Sequence, residues 1–176
     1  MGKYKVIDGN EACAHISYMF TEIAGIYPIT PASPMSEYID KWSTEGRLNL
    51  FNNRVKLIEM QSEAGAIALV HGSLQTGSLA STYTASQGLL LMIPSMYKIA
   101  GEMLPCVINV ASRTVATHAL SIFGDHSDIY ASRSTGFCFL ASSSVEDTIY
   151  MTLASYLSTL KGKLPFVNFF DGFRTS

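Results

Sequence analysis

Val55-Lys56-Leu57-Ile58-Glu59-Met60, followed by Gln61-Ser62-Glu63-Ala64-Gly65-Ala66-Ile67-Ala68-Leu69-Val70-His71-Gly72, is the stretch whose reading decides the fold. The first six residues are a short, largely apolar run of strand length. The small-residue segment after them has helical length. Glu63 stands where the strand gives way to the helix. In open α/β sheets, ligands gather outside the carboxyl ends of the strands. A carboxylate placed there among alanines and glycines is partly desolvated, so it requires a cationic or proton-sharing partner. The structural alternative is a carboxylate held at a helix N-terminus by the macrodipole.

Outward from this join the same alternation continues. Residues 10–24 read as a helix with Glu11 in its first turn, and 25–30 as a short strand broken at Pro31. Ser33 caps a helix that has Pro34 at its first position and ends before Gly46. After the strand at 56–60 and the helix at 62–75 come a strand at 78–84 and an apolar helix at 87–100, bent or reset at Pro94. A strand at 105–111 opens a long connection over 112–127. A helix at 126–135, a strand at 136–141, a helix at 145–160 and a strand at 165–170 complete the series. Strands and helices alternating at these lengths predict an α/β fold, a mainly parallel sheet with helices on both faces. Residues 1–176 read as a single domain. The sequence ends just after a strand, which suggests a fragment of a longer chain.

Of the 176 residues, 48% are hydrophobic and 15% charged, against about 25% charged in an average soluble domain. Two causes fit that excess: surface intended for a partner, and a parallel sheet buried on both faces. The net charge of -2 gives no support to nucleic-acid or membrane-surface binding. Cys13, Cys106 and Cys138 are odd in number and far apart, with no C-x-x-C pair, so they build neither a zinc site nor an iron–sulfur cluster by themselves. They suit a reducing compartment. The N-terminal stretch 1–8 has no long apolar core and is not read as a signal peptide. No apolar run reaches the roughly 18 residues of a membrane span.

Three polar residues fall just past predicted strands: Thr30, Glu63 and Arg113. An arginine there can grip a carboxylate through its planar fork. The plainer readings are a turn hydroxyl for Thr30 and a structural ion pair for Arg113, but three such residues at three strand ends would converge on one rim. His118, Asp125, His126 and Asp128 invite a metal reading, yet their spacing matches no common ligand pattern. Capping of the 126–135 helix by Asp125, with hydrogen bonding inside the long connection, explains them better. No metal ligand is assigned in this chain. There is no G-x-G-x-x-G and no P-loop motif, and Ser86-Gln87-Gly88 lacks the G-x-S-x-G frame of a nucleophile elbow.

The segments 8–12, 27–31, 59–65, 84–94, 117–128 and 169–176 together resemble the amino-terminal domain of the pyruvate:ferredoxin (flavodoxin) oxidoreductases, in order and without insertion. The longest of them read Glu59-Met60-Gln61-Ser62-Glu63-Ala64-Gly65, Thr84-Ala85-Ser86-Gln87-Gly88-Leu89-Leu90-Leu91-Met92-Ile93-Pro94 and Phe169-Phe170-Asp171-Gly172-Phe173-Arg174-Thr175-Ser176. The resemblance implies a thiamine-diphosphate-binding fold, with this domain taking the aminopyrimidine end of the cofactor. Members oxidatively decarboxylate pyruvate to acetyl-CoA and CO2. Coenzyme A accepts the acetyl group, and electrons pass through 4Fe–4S clusters to ferredoxin or flavodoxin. By this resemblance Glu63 contacts the pyrimidine N1′, Arg113 binds the pyruvate carboxylate, and Thr30 and Pro28 belong to the substrate-side loop. Mg2+ and the clusters are expected in further domains, in a homodimer located in the cytoplasm or, in some eukaryotes, in an organelle. On this view the chain alone is inactive. The alternatives are a non-catalytic assembly module that keeps the fold, or a domain serving a related 2-oxo acid.

Overall fold

In the computed structural model, the described residues, 4–176, alternate strictly between helix and strand. The order is α1 (Gly9–Phe20), β1 (Ile23–Ile26), α2 (Ser33–Thr44), β2 (Lys56–Glu59), α3 (Glu63–Gln75), β3 (Ala80–Thr84), α4 (Ser86–Gly101), β4 (Val107–Ser112), α5 (Ser127–Ser132), β5 (Cys138–Ser142), α6 (Val145–Gly162) and β6 (Phe166–Asp171). Residues 1–3, part of the stretch read for a signal peptide, lie outside the described residues. Side-chain caps start several helices. Asp8 accepts from the Glu11 amide at 2.7 Å, Ser62 from Gly65 at 3.1 Å, and Ser144 from Asp147 at 3.0 Å. Each satisfies an amide that the helix itself leaves unpaired.

The six strands form one sheet in the order β2-β1-β3-β4-β6-β5, and every ladder is parallel. The central strands β3 and β4 are buried at every residue, which accounts for part of the apolar composition. Along β4 the side chains alternate. Ile108 and Val110 join Ile67, Val70, Leu89, Met92 and Met96 of α3 and α4, whereas Val107 and Ala111 turn to the layer of α1, α2 and α6. Period-two alternation thus divides one strand between two cores. Each fully buried aliphatic side chain contributes roughly 1.5–3 kcal/mol. Large apolar side chains also remain exposed, among them Leu48, Leu50, Leu120 and Phe123.

The layer between the sheet and α1/α6 carries a polar chain as well. Asn109 donates to the Tyr156 hydroxyl at 3.2 Å, and that hydroxyl shares a 2.7 Å bond with Ser81. Asn168 donates to Thr152 at 2.9 Å and to Asn109 at 3.2 Å, and Cys13 donates to Asn109 at 3.2 Å. Burial pushes the Cys13 and Cys106 thiols up to about 12, so neither offers a thiolate near neutral pH. Tyr156→Phe keeps the ring stack on Phe20, at 5.2 Å between centroids, but removes the only oxygen that Asn109 Nδ2 reaches among the described residues. It is expected to cost about 1–3 kcal/mol, read as a lower urea midpoint; an unchanged midpoint would show the hydroxyl to be dispensable.

Several boundaries differ from the sequence reading: α1 ends at Phe20 rather than at 24, and Ser33 is the first residue of α2, behind Ala32, and does not cap it. The first strand occupies Ile23–Ile26 rather than 25–30. Tyr27-Pro28-Ile29-Thr30 has strand-like residue types, but Pro28 cannot donate to a ladder. Helix α4 runs unbroken through Pro94, which lies on its exposed side, where neighbouring carbonyls can turn to water.

Candidate functional site

Because all strands run the same way, their carboxyl ends share one rim. The chain leaves β1 for β2 on one side and β3 for β4 on the other, so the direction of winding reverses between β1 and β3. A crevice forms at such a reversal. Thr30 lies past β1, Glu63 opens α3 past β2, Ser86, Gln87 and Gly88 open α4 past β3, and Arg113 follows β4 directly. The structure therefore places Thr30, Glu63 and Arg113 on the same rim. Pro28 is exposed on the outer flank, beside Glu37, Asp40 and Glu59, and does not join them.

Glu63 is the first residue of α3, yet Ser62 provides the cap. Its side chain is only 6% exposed and lies against Gly88. A Cβ at Gly88 would stand 2.8 Å from both Cγ and Oε1 of Glu63 and 2.4 Å from Thr84 Oγ1. No hydrogen bond or ion pair to the Glu63 carboxylate is formed among the described residues. Helix-dipole stabilisation is worth about 0.3–1 kcal/mol, well below the several kcal/mol that removing an unpaired ion from water costs. The helix-end reading leaves this position unexplained. Gly88→Ala should itself destabilise the fold by about 1–3 kcal/mol, since Thr84 is β-branched, buried and unable to swing aside. Thermal unfolding checks this, and a wild-type midpoint would mean that α4 moves outward without resistance.

Arg113 is likewise 6% exposed. Its Nη1 donates to the Thr30 carbonyl at 2.7 Å, and Nη2 reaches Gln87 Oε1 at 3.5 Å. Its Nε, like Thr84 Oγ1, is a buried polar atom without a partner. No carboxylate pairs with the guanidinium among the described residues, so the structural ion pair is not found there. Gln87 and Gly88, adjacent in the first turn of α4, thus touch the two charged groups: Gln87 the guanidinium, Gly88 the carboxylate. Both glycine and glutamine were open to the strand-end rule that picks out the other three.

The long connection forms the expected local hydrogen bonds but not the cap: His126 precedes α5, and no side chain caps that helix. Asp125 Oδ1 accepts from the Ser127 amide at 2.7 Å and from its hydroxyl at 2.5 Å, bonds that hold its carboxyl below the usual carboxylate range. Helix α5 spans only Ser127–Ser132 rather than 126–135. His118 is exposed, and His126 stands edge-on to Phe169. Among the described residues no three His, Cys, Asp or Glu side chains gather as a metal site would need.

Comparison with known proteins places this fold in a family. The family described as pyruvate flavodoxin/ferredoxin oxidoreductase, thiamine diphosphate-binding, matches residues 16–176. The chain belongs to that family. It is 59% identical over 172 residues to the pyruvate:ferredoxin oxidoreductase of Moorella thermoacetica, covering 98% of this chain and 15% of that protein. Against the pyruvate-flavodoxin oxidoreductase of Klebsiella pneumoniae it is 59% identical over 175 residues, covering 99% and 15%. The chain thus spans about 15% of the length of these curated relatives. The sheet and its helices superpose on a 2-oxoglutarate:ferredoxin oxidoreductase from Magnetococcus marinus, solved with 2-oxoglutarate, coenzyme A and succinyl-CoA bound. The TM-score is 0.81 at 23% identity, over 94% of this chain and 29% of that one, which shows the shared fold. No described helix is long and apolar enough to cross a membrane.

Proposed function

We propose that residues 1–176 form one pyrimidine-binding domain, supplying half of a thiamine diphosphate site in a longer enzyme. That enzyme converts pyruvate and coenzyme A to acetyl-CoA, CO2, one proton and two electrons, and the electrons go to ferredoxin or flavodoxin. The observation that carries the reading is the pair of buried, unneutralised charges on one rim, Glu63 and Arg113. Each lacks a counter-ion among the described residues, and each is bracketed by the first turn of α4.

The residues fit the cofactor's aminopyrimidine. Glu63 has free acceptor positions, Gly88 supplies a surface without a side chain beside it, and Thr84 Oγ1 is a buried hydroxyl still wanting a partner. When bound, thiamine diphosphate supplies the acidic thiazolium carbon and the electron sink that decarboxylation needs. Glu63 shares a proton at N1′ and so sets the protonation of the ring. Arg113 presents its fork to the carboxylate of the oxo acid through Nη2 and through Nε, which is buried without a partner among the described residues. Thr30 fixes the guanidinium through its carbonyl and leaves its hydroxyl exposed at the substrate side, with Pro28 on the outer flank. The diphosphate, Mg2+ and 4Fe–4S clusters are assigned to segments outside 1–176, in a cytoplasmic homodimer.

The complete protein, assayed without oxygen, is expected to release one acetyl-CoA and one CO2 per two electrons delivered to ferredoxin or flavodoxin. Consumption of 2-oxoglutarate in place of pyruvate would overturn the substrate assignment. Consumption of neither would favour an assembly role for the domain.

A further inference from the structure

Behind Arg113 lies a charged residue that the proposed chemistry leaves unused. Asp128, at the second position of α5, is fully buried. Its carboxylate accepts four hydrogen bonds, two at each oxygen. Oδ1 takes the Ser112 hydroxyl at 2.7 Å and the Ile129 amide at 2.8 Å. Oδ2 takes the Ser86 amide at 2.9 Å and the Arg113 amide at 3.2 Å. No lysine, arginine or histidine forms an ion pair with it among the described residues.

These four donors are not a random set. The Ser86 amide belongs to the turn from β3 into α4, and Ser86 holds a left-handed φ of 48°, a conformation that a non-glycine residue keeps only when its surroundings enforce it. The next residue, Gln87, carries the Oε1 that faces the guanidinium, and its Nε2 donates to the Ala116 carbonyl at 2.9 Å. The Arg113 amide belongs to the residue that carries the guanidinium itself. One carboxylate oxygen therefore ties the Arg113 backbone to that of Ser86, the residue before Gln87, across two strand ends. The other oxygen ties both to β4 and α5. Glu63, on α3, receives no bond from Asp128.

We infer that Asp128 is a positioning residue for the oxo-acid subsite. It sets the backbone frame from which Arg113, flanked by Gln87, reaches the substrate carboxylate, while Glu63 stands on α3, whose start is capped by Ser62. The inference rests on the proposed role of Arg113 and adds to it a residue that never touches substrate. A bidentate grip tolerates little displacement, so loss of the frame weakens substrate binding without altering proton exchange at the cofactor.

The test uses the complete enzyme. Asp128→Ala is expected to raise KM for pyruvate roughly tenfold, the scale of one lost charge-assisted hydrogen bond. The turnover number and deuterium exchange at the cofactor's C2 stay near wild type. Asp128→Asn keeps one oxygen for Ser86 and Arg113, so part of the affinity returns. Because both changes act on one contact, combining Asp128→Ala with Arg113→Lys gives less than the product of the separate effects. A KM that stays at the wild-type value, or a multiplicative double variant, overturns the inference. So does a parallel fall in C2 exchange, turnover and thermal stability, which marks a general buttress. Should Asp128→Ala fail to fold, Asp128→Asn decides: a raised KM that is non-additive with Arg113→Lys supports the role, and an unchanged KM ends it. If Arg113→Lys alone leaves KM unchanged, the reading of Arg113 falls instead.

Discussion

Glu63→Gln in the complete enzyme is expected to lower the turnover number by roughly 10²–10⁴-fold, the range in which positioned proton transfer contributes. KM for pyruvate should change little. Glutamine matches glutamate in shape and so still fits against Gly88, where a Cβ would already be 2.8 Å from the side chain. What it loses is the ability to share an ionisable proton. The loss falls on the reacting state rather than on ground-state binding, so it belongs in the turnover number. Deuterium exchange at the cofactor's C2 isolates the step and should slow in parallel. Exchange at the wild-type rate would return Glu63 to the role of a helix-end carboxylate.

Arg113→Lys should show the opposite signature: KM for pyruvate raised about ten- to a hundred-fold, with C2 exchange near normal. The guanidinium spends Nη1 on Thr30 and leaves Nε without a partner among the described residues. It can therefore be anchored and still bind a carboxylate. An ammonium is a point charge without that fork. If it satisfies the Thr30 carbonyl, it cannot also present two parallel donors. Loss of a charge-assisted contact is worth roughly 1.5–3 kcal/mol, which gives the stated range. Steady-state kinetics with varied pyruvate decides it, and an unaltered KM would remove Arg113 from the substrate site.

Much of this was readable before any coordinates. Apolar runs of strand length, Pro34 in the first turn of α2 and Gly46 after it mark elements locally, although Ser33 lies inside α2 and does not cap it, so the α/β alternation emerges residue by residue. Thr30, Glu63 and Arg113 stand out because each is a polar residue just past an apolar run, and parallel strands bring such positions together. Gln87 and Gly88 satisfy the same positional rule at the end of β3, but they look unremarkable in sequence: a glycine matters here only through what presses against it, and that is a tertiary fact. Asp128 was hidden for a related reason. Its neighbours His118, Asp125 and His126 suggest a surface cluster, while its own partners, Ser86, Ser112 and Arg113, come from 15 or more residues away. Pro28 shows the converse error of adjacency. Two residues from Thr30 in the chain, it is carried to the outer flank by the turn between them.

The wholly parallel sheet has a practical corollary for work at the bench. If every strand ends at the reactive rim, every helix-to-strand connection lies at the opposite one. The turn after α3 is such a place. Thr76 is exposed and is the attachment point, whereas the neighbouring Gly77 takes a φ of 90° that a side chain would strain. A five- or six-residue strand spans roughly 17–20 Å, so a fluorophore or affinity handle at this turn sits a whole strand length from Glu63 and Arg113. Such a handle could report on domain movement during turnover without itself entering the chemistry.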